Sequence, residues 1–173
     1  GRYESALYGS ARNGTRGGRV SAVFHEGIDI APLRRDRNGC ALDTVHAVAD
    51  GTVAYINRVA GNSNYGIYVV LLHDDPVGPV YSLYAHLAAP EPELREGQAV
   101  LGGERIGKMG ATPASIIRAG GDHLHLEIGL VANRHFEQWY RANKLVPDHG
   151  RYHGWNLIGI DPLKVYRAHR ERE

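Results

Sequence analysis

A chain of 173 residues, 43% of them hydrophobic, is long enough for one domain with its own core and too short to favour two. Its formal net charge of +1 offers no basic surface for nucleic acid, and no apolar run reaches the length that spans a membrane. Cys40 is the only cysteine, which excludes an intrachain disulfide and a thiolate metal site and fits either cytoplasm or periplasm.

Taken in chain order, residues 1 to 19 hold several glycines among polar residues without periodicity, and predict an irregular arm lying over the domain. Gly1 is not a translation start, since the single methionine is Met109, which leaves room for a removed signal peptide or anchor. From Val20 the pattern is a succession of strands, at about 20–24, 28–31, 45–49, 51–59, 66–73, 80–87, 98–101, 104–109 and 123–130. Turns at Asp50-Gly51, Gly61-Asn62 and Gly102-Gly103 separate them and favour antiparallel pairing. The run Val69-Val70-Leu71-Leu72 predicts a central strand buried on both faces. Two helices follow. One is expected from an Asn133 cap to about Lys144, with Phe136, Trp139 and Tyr140 on one face. The other starts at Asp161-Pro162, a cap followed by proline at the first helical position. Residues 147–155 read as a loop and 169–173 as a tail.

Histidine is the signal in the composition, with ten in the chain. His25 and Asp29 are four apart, and His123 and His125 two apart. On extended strands even spacing puts side chains on one face. Two imidazoles and a carboxylate meeting from separate strands make a three-ligand zinc site that keeps its fourth position for water, the layout of a catalytic rather than a structural zinc. His25-Glu26 also opens like the helical His-Glu-x-x-His motif. Gly27, the β-branched Ile28 and Ile30, and Pro32 argue against a helix. On a strand Glu26 would face away from the metal and is not expected to act as the base. His86 lies in Tyr81-Ser82-Leu83-Tyr84-Ala85-His86-Leu87, where alternation pairs it with Tyr84. His46, His73, His135, His149, His153 and His169 have no partner at ligand spacing.

His25-x-x-x-Asp29, Val48-Ala49-Asp50-Gly51-Thr52-Val53, Tyr84-Ala85-His86-Leu87, Gly107-Lys108-Met109-Gly110 and His123-Leu124-His125-Leu126-Glu127, in this order, resemble the lysostaphin-type zinc endopeptidases. The match spans about residues 20 to 130, and Asp161-Pro162-Leu163 resembles that family's exit from the domain. The resemblance implies a mainly β fold, a compact curled antiparallel sheet resembling a β-barrel hybrid, with one or two short C-terminal helices. The domain would cover 20–168, with 131–158 as an insertion. It further implies one zinc ion held by His25, Asp29 and His125, with His86 and His123 as the catalytic histidines beside it. The implied activity is endopeptidase cleavage of stem or cross-link peptides in bacterial peptidoglycan, in the periplasm or elsewhere in the cell envelope, by a monomer. Tyr84 is a candidate donor to the oxyanion, and Glu127, on the face of His125, a candidate for orienting a ligand imidazole. The stretch Pro32 to Asp43 and the loop from Gly110 to His123 are longer than the family pattern needs. Two other readings compete: an inactive cell-wall binding or hydrolase-activating module of the same fold, and a cupin-like metal enzyme. The presence of all five His and Asp positions disfavours the first. Glu127, too close behind His125, disfavours the second.

Overall fold

The computed structural model describes residues 4–16, 19–76, 78–113, 115, 117, 118, 120–145, 152 and 154–171. In chain order the strands are β1 Glu4–Ala6, β2 Ala11–Arg16, β3 Arg19–Phe24, β4 Ile28–Ile30, β5 Thr44–His46, β6 Gly51–Asn57, β7 Ile67–His73, β8 Val80–Pro90, β9 Ala99–Val100, β10 Arg105–Met109, β11 Leu124–Val131 and β12 Leu157–Ile160. Helix α1 is Phe136–Ala142 and α2 is Pro162–Arg170.

All pairings are antiparallel. The main sheet runs β1-β4-β11-β8-β7-β6-β9, with β12 added beside β11 and the β5–β10 pair attached through β8; β2 and β3 form a separate hairpin. The mainly β, antiparallel architecture expected from the sequence is what the chain adopts. Short strands with glycine-rich turns give this result, because hairpin connections need few residues and the polar turn positions need no burial.

The central strand β7 explains its unbroken apolar run. Val69 and Leu71 face an aliphatic core with Val45, Val53, Leu87 and Ile106. Tyr68 and Val70 face a second cluster with Tyr81, Leu83, Ala85 and Tyr152. A sheet covered on both faces leaves no solvent side, so alternation disappears from its middle strand.

Several expectations are corrected. The N-terminal arm is not irregular where it is described: β1 pairs with β4 at Glu4↔Ile30 and Ala6↔Asp29, and β2 pairs with β3 from Ala11↔Phe24 to Arg16↔Arg19. Backbone pairing with a neighbouring edge, which local periodicity does not reveal, fixes these strands. β12 was likewise not expected, and it returns the 131–158 segment to the sheet by pairing with Val131 to Ile128. In α1 the N-cap is His135 rather than Asn133. Phe136 and Tyr140 are buried while Trp139 is exposed, so the packed face is an i, i+4 pair. The proposed loop 147–155 falls mostly outside the described residues. The Asp161 side chain caps α2 by accepting the Leu163 N–H at 3.0 Å, as expected, and α2 continues through the first residues of the expected tail.

Candidate metal centre

Residues 25 to 29 do not form one extended strand. β3 ends at Phe24 and β4 begins at Ile28, so His25 sits at the corner and Asp29 on the next strand. Gly27 makes the corner possible, since a Cβ there would collide with the Leu126 carbonyl of β11. β4 then runs beside β11 with Asp29 opposite His125. The two elements therefore bring together what spacing along one strand was expected to bring.

His25, Asp29 and His125 are all buried and form the group of ligand-type side chains that converges among the described residues, with candidate atoms within 4.8 Å of one another. His25 Nε2 lies 2.9 Å from His125 Nδ1. Each of these nitrogens lies 3.0 Å from Asp29 Oδ1. The outer nitrogens decide what the inner ones carry. His25 Nδ1 donates to the Leu7 carbonyl at 3.0 Å, and His125 Nε2 donates to Glu127 Oε1 at 2.9 Å. A neutral imidazole with its proton on the outer nitrogen presents a lone pair on the inner one. Two lone pairs and a carboxylate oxygen thus face a common point, an arrangement that repels itself unless a cation lies among them. In the metal-free chain a proton on an inner nitrogen takes the cation's place. Burial works to push His125 down, but its bonds to Asp29 and Glu127 overcome this and raise it to about 9. Burial likewise opposes ionisation of Asp29, and hydrogen bonds from His125 and His25 hold it far below the usual carboxylate range. A tetrahedral zinc holds its ligand atoms roughly 3.3 Å apart, so this N₂O donor set fits zinc with movements of a few tenths of an ångström.

Glu127 is fully buried. It accepts from Tyr81 through Oε2 at 2.8 Å and is hydrogen-bonded by Tyr65. Burial would raise its carboxyl, but the bonds from His125, Tyr65 and Tyr81 keep it ionised and below its ordinary value. Both tyrosines are pushed up by burial and by the Glu127 charge, so they stay neutral and serve as donors. Glu26 is exposed, yet its side chain does not turn away from the site as strand alternation implied. It is hydrogen-bonded to Tyr65, and desolvation and the Glu127 charge raise its carboxyl.

The other two histidines stand beside this centre. The ring of His86 is centred 4.9 Å from that of His123 and 5.7 Å from that of His125. His123 Nε2 lies 3.7 Å from Asp29 Oδ1. Each again spends its outer nitrogen on a backbone carbonyl: His86 Nδ1 donates to Thr112 O and His123 Nδ1 to Gly121 O, both at 2.7 Å. Burial, then the neighbouring His125 and His123, push His86 down to about 4.

His86 reaches the site by breaking alternation. Its φ is 62°, in the left-handed region that non-glycine residues avoid, and the β7–β8 register slips there, with Ile67 opposite Leu87 but Val69 opposite Tyr84. Such a bulge re-aims one side chain. As a consequence Tyr84 is not at the site. It lies on the opposite face of β8, fully buried, with its hydroxyl accepting the Val48 N–H at 2.9 Å and bonded to Ser82 at 2.9 Å. The tyrosines that do belong to the centre, Tyr65 and Tyr81, were missed. Counting alternate residues back from His86 selects Tyr84, whereas counting across the bulge from Ala85 selects Tyr81. Tyr65 carries no sequence signal of its own, lying in the connection before β7. A cavity of about 510 Å³ lined by Ile28, Leu126, Leu163 and Tyr166 lies on the aliphatic side between the sheet and α2, away from the His25–Asp29–His125 cluster.

An antiparallel sheet carrying a buried His₂Asp cluster is the layout of a candidate metal centre with three protein ligands. The sequence profile of peptidase family M23 matches residues 23–137, more than half of the chain, and the chain belongs to that family. The fold is similar to the catalytic domain of the antimicrobial peptidase lysostaphin from Staphylococcus simulans, with a TM-score of 0.59 and 19% identity over 95% of this chain and 91% of that one. Against longer lysostaphin the values are 0.56 and 20%, over 95% and 50%. A LytM protein from Ruminococcus gnavus matches at 0.51 and 26%, over 83% of this chain and 46% of that one. The chain thus spans about half the length of these last two proteins.

Proposed function

We propose that this protein is a zinc-dependent endopeptidase that hydrolyses peptide bonds of bacterial peptidoglycan, with His25, Asp29 and His125 holding one zinc ion. The observation that carries the reading is the convergence of three electron-pair donors, two of them imidazoles whose outer nitrogens are already committed to the protein. When bound, zinc supplies Lewis acidity: it polarises a carbonyl and lowers the pKa of water.

The chain's own residues supply the rest. Asp29 and the inner nitrogens of His25 and His125 orient the ion, and Glu127 keeps His125 in the tautomer that presents Nδ1. His86 and His123 present Nε2 as proton acceptors, because Thr112 and Gly121 hold their Nδ1 protons. Burial keeps His86 neutral near pH 7, the form a general base needs. Whichever of the pair takes a proton from water then returns one to the departing amine. Tyr84 has no part in this, since its hydroxyl is occupied on the other face.

The inactive-module alternative is disfavoured by the intact cluster of proton acceptors, and no histidine beyond His125 joins the centre in the cupin manner among the described residues. The substrate places the working protein outside the cytoplasmic membrane; among the described residues no helix is long and apolar enough to cross one.

The test is digestion of purified peptidoglycan by the zinc-loaded protein, with and without a chelator, reading new amino termini by mass spectrometry. New termini that vanish with chelator and return with added zinc are expected. Absence of termini from fully loaded protein overturns the peptidase reading.

A further inference from the structure

The N-terminal arm grips the site rather than lying over it. Leu7 to Ser10 form a β-turn closed by the Ser10 N–H to the Leu7 carbonyl at 3.2 Å, with Gly9 at φ 74°, as the third residue of a type II turn requires. Three hydrogen bonds join this turn to a single residue, His25. The Gly9 N–H donates to the His25 carbonyl at 2.8 Å, and the His25 N–H donates to the Ser10 carbonyl at 3.0 Å. The His25 Nδ1 proton goes to the Leu7 carbonyl at 3.0 Å. The β2–β3 hairpin begins just after the turn and ends just before His25, pairing Ala11 with Phe24, so the turn and the histidine are neighbours across its root. β1, just ahead of the turn, pairs beside Asp29, and the Ser5 hydroxyl donates to the Asp29 carbonyl at 3.3 Å. Tyr8 fastens the turn to β12 by donating to the Gly159 carbonyl at 2.8 Å.

We propose that the Leu7–Ser10 turn is a positioning element of the metal centre: it fixes the tautomer and ring direction of His25, so that metal affinity depends on the arm. The inference rests on the reading of His25 as a ligand. A neutral imidazole is free to carry its proton on either nitrogen. A carbonyl accepts only, so the Leu7 oxygen selects the Nδ1–H form and leaves Nε2 to face Asp29 and His125. The turn plays for His25 the part that Glu127 plays for His125. One imidazole is held by a buried carboxylate inside the sheet, the other by a backbone carbonyl on an exposed loop. The arm is therefore a support of the site and not a plug, and loss of the arm lowers metal affinity instead of unmasking the enzyme.

Gly9 allows a test that leaves every contact atom in place. A Cβ at Gly9 meets nothing within 4 Å, so a substitution acts only through the positive φ, which asparagine tolerates, alanine resists and valine resists most. Zinc affinity of the full chain is measured by competition with a chromophoric chelator for wild type, Gly9→Asn, Gly9→Ala and Gly9→Val. Thermal unfolding of the metal-free proteins and the His25 tautomer, by ¹⁵N NMR, are recorded in parallel. Affinity is expected to stay near wild type for Asn, to weaken for Ala and to fall about tenfold or more for Val. The Nδ1–H signal of His25 should be lost in the same order. Equal affinity across the series, or a falling Tm with unchanged affinity and tautomer, overturns the proposal. A Val variant too unstable to load leaves the Asn–Ala comparison to decide. A wild-type protein that binds no zinc instead sinks the metal reading itself, and activity raised by Gly9→Val would make the arm a plug.

Discussion

Tyr81 and Tyr84 lie three residues apart on one strand, are both fully buried, and belong to opposite faces of the sheet. Each anchors a hydrogen-bonded chain that includes a histidine. On the aliphatic side Tyr84 bonds to Ser82, Ser82 lies 2.7 Å from His73 Nε2, and His73 Nδ1 donates to the Asp50 carbonyl at 2.7 Å. Both nitrogens of His73 are used, and the chain ends on a backbone carbonyl. On the other side Tyr81 and Tyr65 hold Glu127, Glu127 holds His125, and the remaining nitrogen of His125 faces two other acceptors. A buried histidine with both nitrogens satisfied is structural. One whose second nitrogen meets only lone pairs and carboxylate oxygen is built for a cation.

The largest contrast should appear between His125→Ala or Asp29→Ala and His73→Ala. The first two are expected to abolish both stoichiometric zinc, read by elemental analysis, and hydrolysis. His73→Ala should keep its zinc and lose only stability. Zinc lost equally from all three would erase the distinction between the faces. Next in size, His86→Ala and His123→Ala should retain zinc but lower kcat by about 10²–10⁴-fold, the usual contribution of a positioned acid or base. A variant of either that cleaves at the wild-type rate removes that residue from the chemistry.

Glu127→Gln should weaken zinc binding about 10–100-fold, and Tyr81→Phe should weaken it less, while Tyr84→Phe leaves affinity unchanged. Tyr84→Phe should instead cost about 1–3 kcal/mol of stability by stranding the Val48 N–H, measured by denaturant titration. A further effect is one of pH. In the metal-free protein His86 is held to about 4, below its unfolded value of roughly 6.5. As pH falls through that window the unfolded chain takes up a proton that the folded one refuses, so stability declines. His86→Gln should remove that part of the decline; identical acid profiles for the two proteins would refute it.

Much of this was legible in the sequence because it is local. Strand order from β3 to β11, the Asp161 cap and the unbroken core run of β7 follow from periodicity and turn chemistry within a few residues. His25, Asp29, His123 and His125 stood out because imidazole and carboxylate side chains at these spacings have few structural uses in combination, whereas His86 was marked only by the resemblance of Tyr84-Ala85-His86-Leu87 to the family pattern. What failed was each inference that carried alternation through a break. The corner at Gly27 turned Glu26 towards the site instead of away, and the bulge at His86 exchanged Tyr84 for Tyr81.

The sequence by itself determined which residue types are available for chemistry and the antiparallel β character of the chain, since both depend on short-range composition and period. Only the tertiary structure decided which face each side chain takes and what its second polar atom touches. Those depend on a left-handed φ, a close strand crossing and a carbonyl from the arm. Contacts between positions distant in sequence leave no periodic trace in it.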